Sequence, residues 1–558
     1  MRRYPVWEIR HAQPYESLLE ALLSSRSLSW EDLAINPEHL HPPELMADME
    51  RGAARLERAI RQRERILVFG DYDADGVTST ALLLDFLVQT GANCGHLLPD
   101  RHRDGYGIRA PSVDVAAEGG ARVIATVDNG VSAFEALERA CSLGLDVVVV
   151  DHHQPQEQLP PAHSVINPNR RDCTYPYKGL AGVGVTFKLV QALSQAFMSG
   201  EERRRYLNGL LDLVALGTVA DVMPVLGENR VLIHRGLKAL AQTSRPGLRQ
   251  LKVAAGCADK SLTTAVVGFQ LAPRLNVAGR LDTPELALRL LRSENNAEAV
   301  ELAEKLNTLN SRRQQLQRVA LREAEDLVSP EDLKTDPIVV VLGEKWDLGV
   351  VGLIAGKLVE RFARPAVVCT ANPEQKVYVG SARSIPGYDI GAAVSACAAH
   401  LTTYGGHAGA AGFSLAPQAY ETFRAALIDH ARAALSPEDL QARLQVDLLI
   451  QARDLGIHTV EALGRLQPFG NGNQAPVFAL RDCRLRRCDR IGKEGAHLKL
   501  GLEVEGQTCT AVWWGQGEVA GQLWVGQPLA AAFELEEDTY AGRGGVQLVL
   551  KDLSLSPI

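Results

Sequence analysis

The chain has few cysteines, few aromatic residues and no long apolar run. Its nine cysteines (Cys94, Cys141, Cys173, Cys257, Cys369, Cys397, Cys483, Cys488 and Cys509) are scattered, odd in number and never spaced C-x-x-C. That pattern argues against a disulfide framework and a thiolate zinc site, and suits reduced thiols in a cytosol. No stretch of about 18 residues is free of charged and strongly polar groups, so none reads as a membrane span. Glu8 and Arg10 interrupt the start before the apolar region of a secretory signal could form. A basic balance is missing too: 59 Lys and Arg against 67 Asp and Glu give a net charge of −8. That sum does not exclude a polyanionic partner, because local patches do the steering. What remains is a chain of 558 residues, 46% hydrophobic and 23% charged. Such a chain is a globular protein of roughly three or four domains.

Residues 1–50 read as a helical extension broken by Pro37, Pro42 and Pro43. From residue 51, apolar runs alternate with amphipathic helical periods: Ile66–Phe69, Thr78–Thr90, Cys94–Leu98, Arg122–Val127, Ser132–Leu143 and Asp146–Val150. Continuous β-branched runs between helical periods predict an α/β fold with a doubly wound, mostly parallel sheet, extending to about residue 295. Residues 296–327 contain neither Pro nor Gly and predict one long connecting helix, ended near Ser329-Pro330. A second, smaller α/β block follows over 331–435, with strands at Ile338–Leu342 and Ala366–Thr370, a helix over Gly349–Arg361 and a glycine-rich loop at 405–412. Residues 436–558 change class. Val477–Arg487, His497–Val504, Thr508–Trp514, Leu529–Leu535 and Val546–Leu550 predict five strands of a small closed barrel, of which the OB-fold is the commonest.

The informative residues are carboxylates and imidazoles at strand ends. Asp71, Asp73 and Asp75 follow the run ending at Phe69; Asp128 follows Val127; Asp151-His152-His153 follows Val150. Ligands of open α/β sheets bind at that edge. Asp221, in Leu216-Gly-Thr-Val-Ala-Asp-Val, could complete the set. A single Asp after a strand is usually a helix N-cap, and His-His could be a surface loop. Asp71-Tyr-Asp-Ala-Asp-Gly also opens like a calcium-binding EF-hand loop, but Leu82 stands where that loop needs its bidentate glutamate. Coincident caps at four separate sites are a poor explanation. Carboxylates gathered this closely repel, and divalent cations resolve the repulsion. Oxygen-rich ligation with imidazole and no thiolate suits Mn²⁺ or Mg²⁺. The ligands suffice for two ions about 3.5–4 Å apart, the arrangement that hydrolyses phosphoesters.

In the tail, residues 481–499 hold Arg481, Arg484, Arg486, Arg487, Arg490, Lys493 and Lys499 against Asp482, Asp489 and Glu494, a local net charge of +4. Basic strands near Trp513, Trp514 and Tyr540 fit single-strand binding by backbone attraction and base stacking. Strand alternation sends at least one of the adjacent tryptophans into the barrel core.

Gly70-Asp-Tyr-Asp-Ala-Asp-Gly, Thr126-Val-Asp-Asn-Gly, Asp151-His-His and Gly217-Thr-Val-Ala-Asp-Val together resemble the motifs of the DHH phosphoesterase superfamily. Gly405-Gly-His-Ala-Gly-Ala-Ala-Gly resembles the signature of its associated C-terminal domain. Gly105-Tyr-Gly, Pro273-Arg-Leu-Asn-Val-Ala-Gly-Arg280, Ser381-Ala-Arg-Ser and Pro468-Phe-Gly-Asn-Gly-Asn bring the match closest to its bacterial single-stranded-DNA exonuclease branch. The resemblance spans about residues 50–480. It implies a DHH catalytic domain over 51–295 and a substrate-binding domain over 331–435. It further implies 5′→3′ degradation of single-stranded DNA to mononucleotides in repair and recombination, in a bacterial cytoplasm.

Carried over by position, Asp71, Asp73 and Asp128 would hold one ion; Asp75, Asp128, His152 and Asp221 would hold the second. His153 would face the scissile phosphate and Asp151 would orient its neighbours. Arg109, Asn276, Arg280, Ser381, Arg383, Gly405, Gly406 and His407 are candidates for the DNA backbone and its 5′-phosphate. Arginine forks and glycine-flanked backbone N–H groups match phosphate oxygens, although the arginines could equally be surface ion-pair partners and the 405–412 loop a packing turn. Single-strand-binding protein and a RecQ-type helicase are the implied partners. Two alternatives remain: a phosphoesterase for short oligonucleotides or small phosphoesters, and a non-catalytic single-strand-binding scaffold.

Overall fold

The computed structural model describes residues 4–100, 107–538 and 545–555. Gly105 and Tyr106 of the Gly105-Tyr-Gly motif, and Tyr540, lie outside the described residues. The chain divides into two compact units: residues 32–313 with 468–474, and residues 1–31, 314–467 and 475–558.

The first unit is built on a five-stranded, all-parallel sheet. Its spatial order is Cys94–Leu97, Ile66–Phe69, Val123–Val127, Asp146–Val150, Ser164–Ile166. Strand residues alternate between two apolar cores. Val68, Ala125, Val148 and Val150 enter one; Leu67, Phe69, Ile124, Val147 and Val149 enter the other. Burial on both faces is why these segments read as unbroken β-branched runs. The strand order reverses beside Ile66–Phe69, which has Cys94–Leu97 on one flank and Val123–Val127 on the other. That reversal opens a crevice at the C-terminal strand edge, and Asp71 and Asp128 leave the two strands that border it.

The helix Asn296–Asp326 is continuous over 31 residues. It is also more than a connector. Ala299, Leu302, Ala303 and Leu306 are buried in the first unit's core, while Ala320 and Ala324 are buried in a core of the second unit.

The second unit holds two sheets. One has five strands in the order Thr403–His407, Ala410–Leu415, Val377–Arg383, Ala366–Asn372, Val339–Leu342. The expected glycine-rich loop at 405–412 is thus a β-hairpin, pairing Gly405 with Gly412, Gly406 with Ala411 and His407 with Ala410. Small residues let two strands approach closely, and the same lack of side chains hides any strand pattern in the sequence.

The other sheet contains the expected barrel. Phe478–Ile491, His497–Val504, Gln507–Trp513, Gly545–Ser554 and Pro528–Asp538 are neighbours in that order, and Phe478–Ile491 pairs back onto Pro528–Asp538 to close it. Two further strands extend it, Arg443–Leu449 and Val6–His11. The expectation of a helical extension over 1–50 is therefore corrected at its start. Val6–His11 is a strand parallel to Arg443–Leu449, and helix is confined to Leu18–Ser25, two short 3₁₀ turns and the first residues of Met49–Gln62. The physical reason is tertiary. The Trp7 indole N–H and the Tyr4 amide donate to Asp552 Oδ2 at 2.9 and 3.2 Å, from the far end of the chain. No helix among the described residues is long and apolar enough to cross a membrane.

Candidate metal centre

Each strand end delivers its acid with defined local geometry. Asp73 caps the helix Ala74–Gln89, its Oδ1 accepting the Gly76 N–H at 3.0 Å. The N-cap reading therefore holds for Asp73 and does not conflict with the ligand reading, since a cap engages one carboxylate oxygen. Asp75 lies in the first turn of that helix, and its two oxygens accept the Gly182 and Val183 N–H groups at 2.7 and 2.9 Å, at the start of the helix Gly182–Leu193. Asp128 adopts φ +62°, turning its carboxylate away from the strand path. Asp221 closes the helix Leu211–Ala220.

These residues converge. One ligand atom from each of Asp71, Asp73 and Asp128 lies within a 4.8 Å group; the same holds for Asp75, His152 and Asp221, and for Asp128, His152 and His153. His152 Nε2 is 3.1 Å from Asp128 Oδ1, 3.6 Å from Asp221 Oδ2 and 3.9 Å from Asp75 Oδ2. Asp128 belongs to two of the three groups. Its Oδ1 is buried and accepts no well-formed hydrogen bond. A buried, unsatisfied carboxylate oxygen among other acids is costly by itself and fits a hard cation.

The electrostatics carry the same signature. Burial, and then the charge of Asp73, push Asp75 up to about 7 despite its two N–H donors. Burial and the neighbouring acids lift Asp221 to about 9 and Asp128 well above the usual carboxylate range. Burial and the charge of His153 lower His152 to about 4. Burial also opposes a charge on His153, but the hydrogen bond and charge of Asp151, joined by Asp221 and Asp71, outweigh it and raise His153 to about 9. Burial would raise Asp151; the His153 hydrogen bond overcomes that and holds it at about 2. Asp151 is tied to both histidines and to Val131. Its Oδ1 accepts from His153 Nδ1 and from the His152 and His153 amides at 2.7, 2.7 and 3.1 Å, while Oδ2 accepts the Val131 N–H at 2.9 Å.

Several supporting residues escape the sequence reading. The Asn129 amide donates to the carbonyls of Phe69 and Val127 at 3.3 and 2.9 Å, tying together the two strands that bear Asp71 and Asp128. Asn169 and Asn167 donate to the carbonyls of His152 and His153 at 2.5 and 2.8 Å. Gly182 and Gly217 make room: an added Cβ would lie 2.5 Å from Asp128 Oδ1 and 2.3 Å from Thr78 Oγ1, respectively. Ile166-Asn-Pro-Asn directly after a strand, and Ala181-Gly-Val-Gly, were the available signals.

The candidates for the DNA backbone fall in both units. Arg109 is exposed at the start of the helix Ala110–Glu118. Arg280, half-buried, lies within the short helix Ala278–Leu281. Asn276 serves the backbone of the chain itself, since its Oδ1 accepts the Ala74 N–H at 2.7 Å and so fixes the loop of Asp71 and Asp73. In the other unit, Arg383 Nη1 donates to Ser381 Oγ at 3.2 Å. A Cβ on Gly352, at the start of the helix Val351–Phe362, would lie 3.0 Å from that hydroxyl and 3.2 Å from Arg383 Nη2. Gly405, Gly406 and His407 lie exposed on the edge strand of their sheet. On the barrel, Trp513 is buried and Trp514 is 54% exposed, as alternation requires. Arg487 pairs with Asp489, and Arg486 forks onto Glu503, an acid beyond the 481–499 count, at 2.9 and 2.8 Å, which leaves less free positive charge than that count implies.

Comparison with known proteins identifies three domains along the chain. The profile described as "DHH family, N-terminal domain" matches residues 65–218, the DHHA1 domain 335–433 and the RecJ OB domain 446–552. The chain is 34% identical over 563 residues to the single-stranded-DNA-specific exonuclease RecJ of Escherichia coli, covering 96% of this chain and 95% of that protein. It is 37% identical over 516 residues to the RecJ of Bacillus subtilis, covering 92% of this chain but 64% of that longer protein. Among solved structures, RecJ of Thermus thermophilus in complex with Mn²⁺ superposes with a TM-score of 0.83 at 30% identity, over 99% of this chain and 80% of that one. The same protein with Mg²⁺ gives 0.76 at 28% identity, over 99% and 79%.

Proposed function

This chain belongs to the RecJ family of single-stranded-DNA-specific exonucleases, and from that premise we propose that it is a divalent-cation-dependent exonuclease that degrades single-stranded DNA from its 5′ end to mononucleotides, by two-metal phosphodiester hydrolysis. The observation that carries the reading is the Asp128-centred cluster, in which acids and an imidazole from separate strand ends converge with a buried, unsatisfied oxygen at their centre. Asp71, Asp73 and Asp128 would hold one cation; Asp75, Asp128, His152 and Asp221 would hold the other, as Mn²⁺ or Mg²⁺. When bound, such cations activate water and offset charge on the scissile phosphate.

The chain's own residues supply the rest. Neutral at pH 7, His152 presents a nitrogen lone pair to a cation without first losing a proton. Cationic and half-exposed, His153 offers its Nε2–H to a phosphate oxygen, because Asp151 holds Nδ1. Arg109, Arg280, Ser381, Arg383, Gly405, Gly406 and His407 are proposed to bind the DNA backbone and its terminal phosphate, with Asn276 holding the metal loop. Exposed Trp514 and the basic barrel strand are proposed to take bases and phosphates of the incoming strand. Repair and recombination in a bacterial cytoplasm, alongside single-strand-binding protein and a RecQ-type helicase, are the setting the family implies.

The test uses 5′-phosphorylated single strands labelled separately at each end, with Mn²⁺, Mg²⁺ or EDTA, beside a matched duplex and a short RNA. Early release of the 5′ label as mononucleotide, from single strands only and silenced by EDTA, is the expected result. Intact long DNA with rapid cleavage of the short RNA would move the assignment to a small-substrate phosphoesterase. Asp128→Ala should abolish hydrolysis while DNA binding stays near wild type; retained cleavage would remove the shared-ligand assignment.

A further inference from the structure

The helix Leu211–Ala220 ends at Asp221 in a Schellman turn: the Met223 N–H donates to Thr218 O at 3.3 Å and the Val222 N–H to Val219 O at 3.2 Å. Such a turn needs a left-handed residue just past the cap, and Val222 takes that place with φ +56°. Glycine is the usual occupant, because a β-branched side chain crowds the backbone there. Little packing compensates, since Val222 is 66% exposed. A residue strained in this way, adjacent to a candidate metal ligand, persists only where its surroundings over-determine it.

Those surroundings come from far along the chain. Pro468–Gln474 groups with the unit that carries the carboxylates, although the residues on either side of it group with the other. Asn471 Nδ2 donates to Val222 O at 2.9 Å, and the Val225 N–H donates to Asn471 O at 2.7 Å, so one residue grips both sides of the turn. The segment is itself anchored on this unit. Arg230 Nη1 donates to Pro468 O at 3.1 Å and Thr264 Oγ1 donates to Phe469 O, while the Asn473 amide closes the segment on itself, donating to Pro468 O at 3.0 Å.

We propose that Asn471 is a positioning residue for the metal centre, holding the strained turn at Val222 so that Asp221 stays aimed at its cation. This rests on the reading that Asp221 is a metal ligand. If Asn471 serves to hold a strained valine, glycine at position 222 makes it dispensable.

The experiment takes the full chain as wild type, Asn471→Ala, Val222→Gly and the double variant. Bound Mn²⁺ is counted by the electron paramagnetic resonance of free Mn²⁺ without DNA, and folding is checked by thermal melting. Asn471→Ala should weaken one of two Mn²⁺ sites about tenfold and leave the other unchanged; the double variant should return to within about twofold of wild type. Wild-type Mn²⁺ binding in Asn471→Ala, or a double variant as weak as the single one, overturns the proposal. Should Asn471→Ala not fold, Asn471→Asp is isosteric, faces the Val222 carbonyl with an acceptor and is held to the same outcome. A wild-type protein that binds no Mn²⁺ and leaves DNA intact defeats the nuclease reading itself, which is a different result.

Discussion

His152 and His153 are neighbours in sequence, their ring centroids 4.5 Å apart, yet they settle on opposite sides of neutrality. Two imidazolium charges at that separation repel, and Asp151 decides which ring keeps the proton. It accepts from the Nδ1 of His153, so His153 is raised to about 9 while buried His152 is lowered to about 4. The division suits a ligand beside a phosphate contact. Asp151→Asn removes the charge that holds the proton but keeps an oxygen for the backbone N–H groups. His153 should then titrate well below 9, read from its ring resonances by NMR, and kcat should fall about 10–100-fold. An unchanged His153 titration would show that Asp221 and Asp71, rather than Asp151, set its charge.

At the scale of elements, the centre depends on a helix starting where no side chain stands in the way. The helix Gly182–Leu193 brings its first N–H groups to Asp75 and its first Cα against Asp128. Gly182→Ala places a methyl 2.5 Å from Asp128 Oδ1. A destabilisation of about 1–3 kcal/mol is expected from such overpacking, with loss of Mn²⁺ binding. Gly356→Ala, where an added Cβ meets nothing within 4 Å, is the control and should leave both melting temperature and metal binding intact. This geometry also marks what the sequence could tell. Strands buried on both faces announce themselves as β-branched runs, and the barrel strands as apolar stretches between glycine-containing turns, so the parallel sheet, the acids at its edge and the five barrel strands were all legible. Val6–His11 was not, because its pairing partners lie more than 400 residues away. Neither was the hairpin 403–415, whose glycines carry no alternation. The asparagines bracing the backbone were invisible for a similar reason: an amide that ties down a distant carbonyl reads locally as a turn residue.

Over the whole molecule, net charge opposes a polyanionic substrate, and the opposition is most concentrated where the chemistry is proposed to occur. Proton uptake relieves it in the metal-free protein. Asp75 and Asp221 are raised to about 7 and about 9, and His153 to about 9. All three bind protons more tightly folded than unfolded between pH 6.5 and their folded values, so each contributes stability that is lost as pH rises through that range. His152 has the opposite sign, because its value is lowered, but most of its contribution is gained below pH 7. In EDTA, the melting temperature of the carboxylate-bearing unit should therefore fall from pH 6.5 to pH 9, by about 2–4 °C for each kcal/mol lost. Divalent cations replace those protons, and their affinity rises with pH as the ligands ionise. Saturating Mn²⁺ should flatten or reverse the slope, and binding near pH 7 should release protons, measurable by calorimetry in buffers of different ionisation enthalpy. A melting temperature that rises across this range in EDTA, with no proton release on adding Mn²⁺, would mean that the acids are already ionised, and the repulsion that calls for cations would have to be relieved in another way.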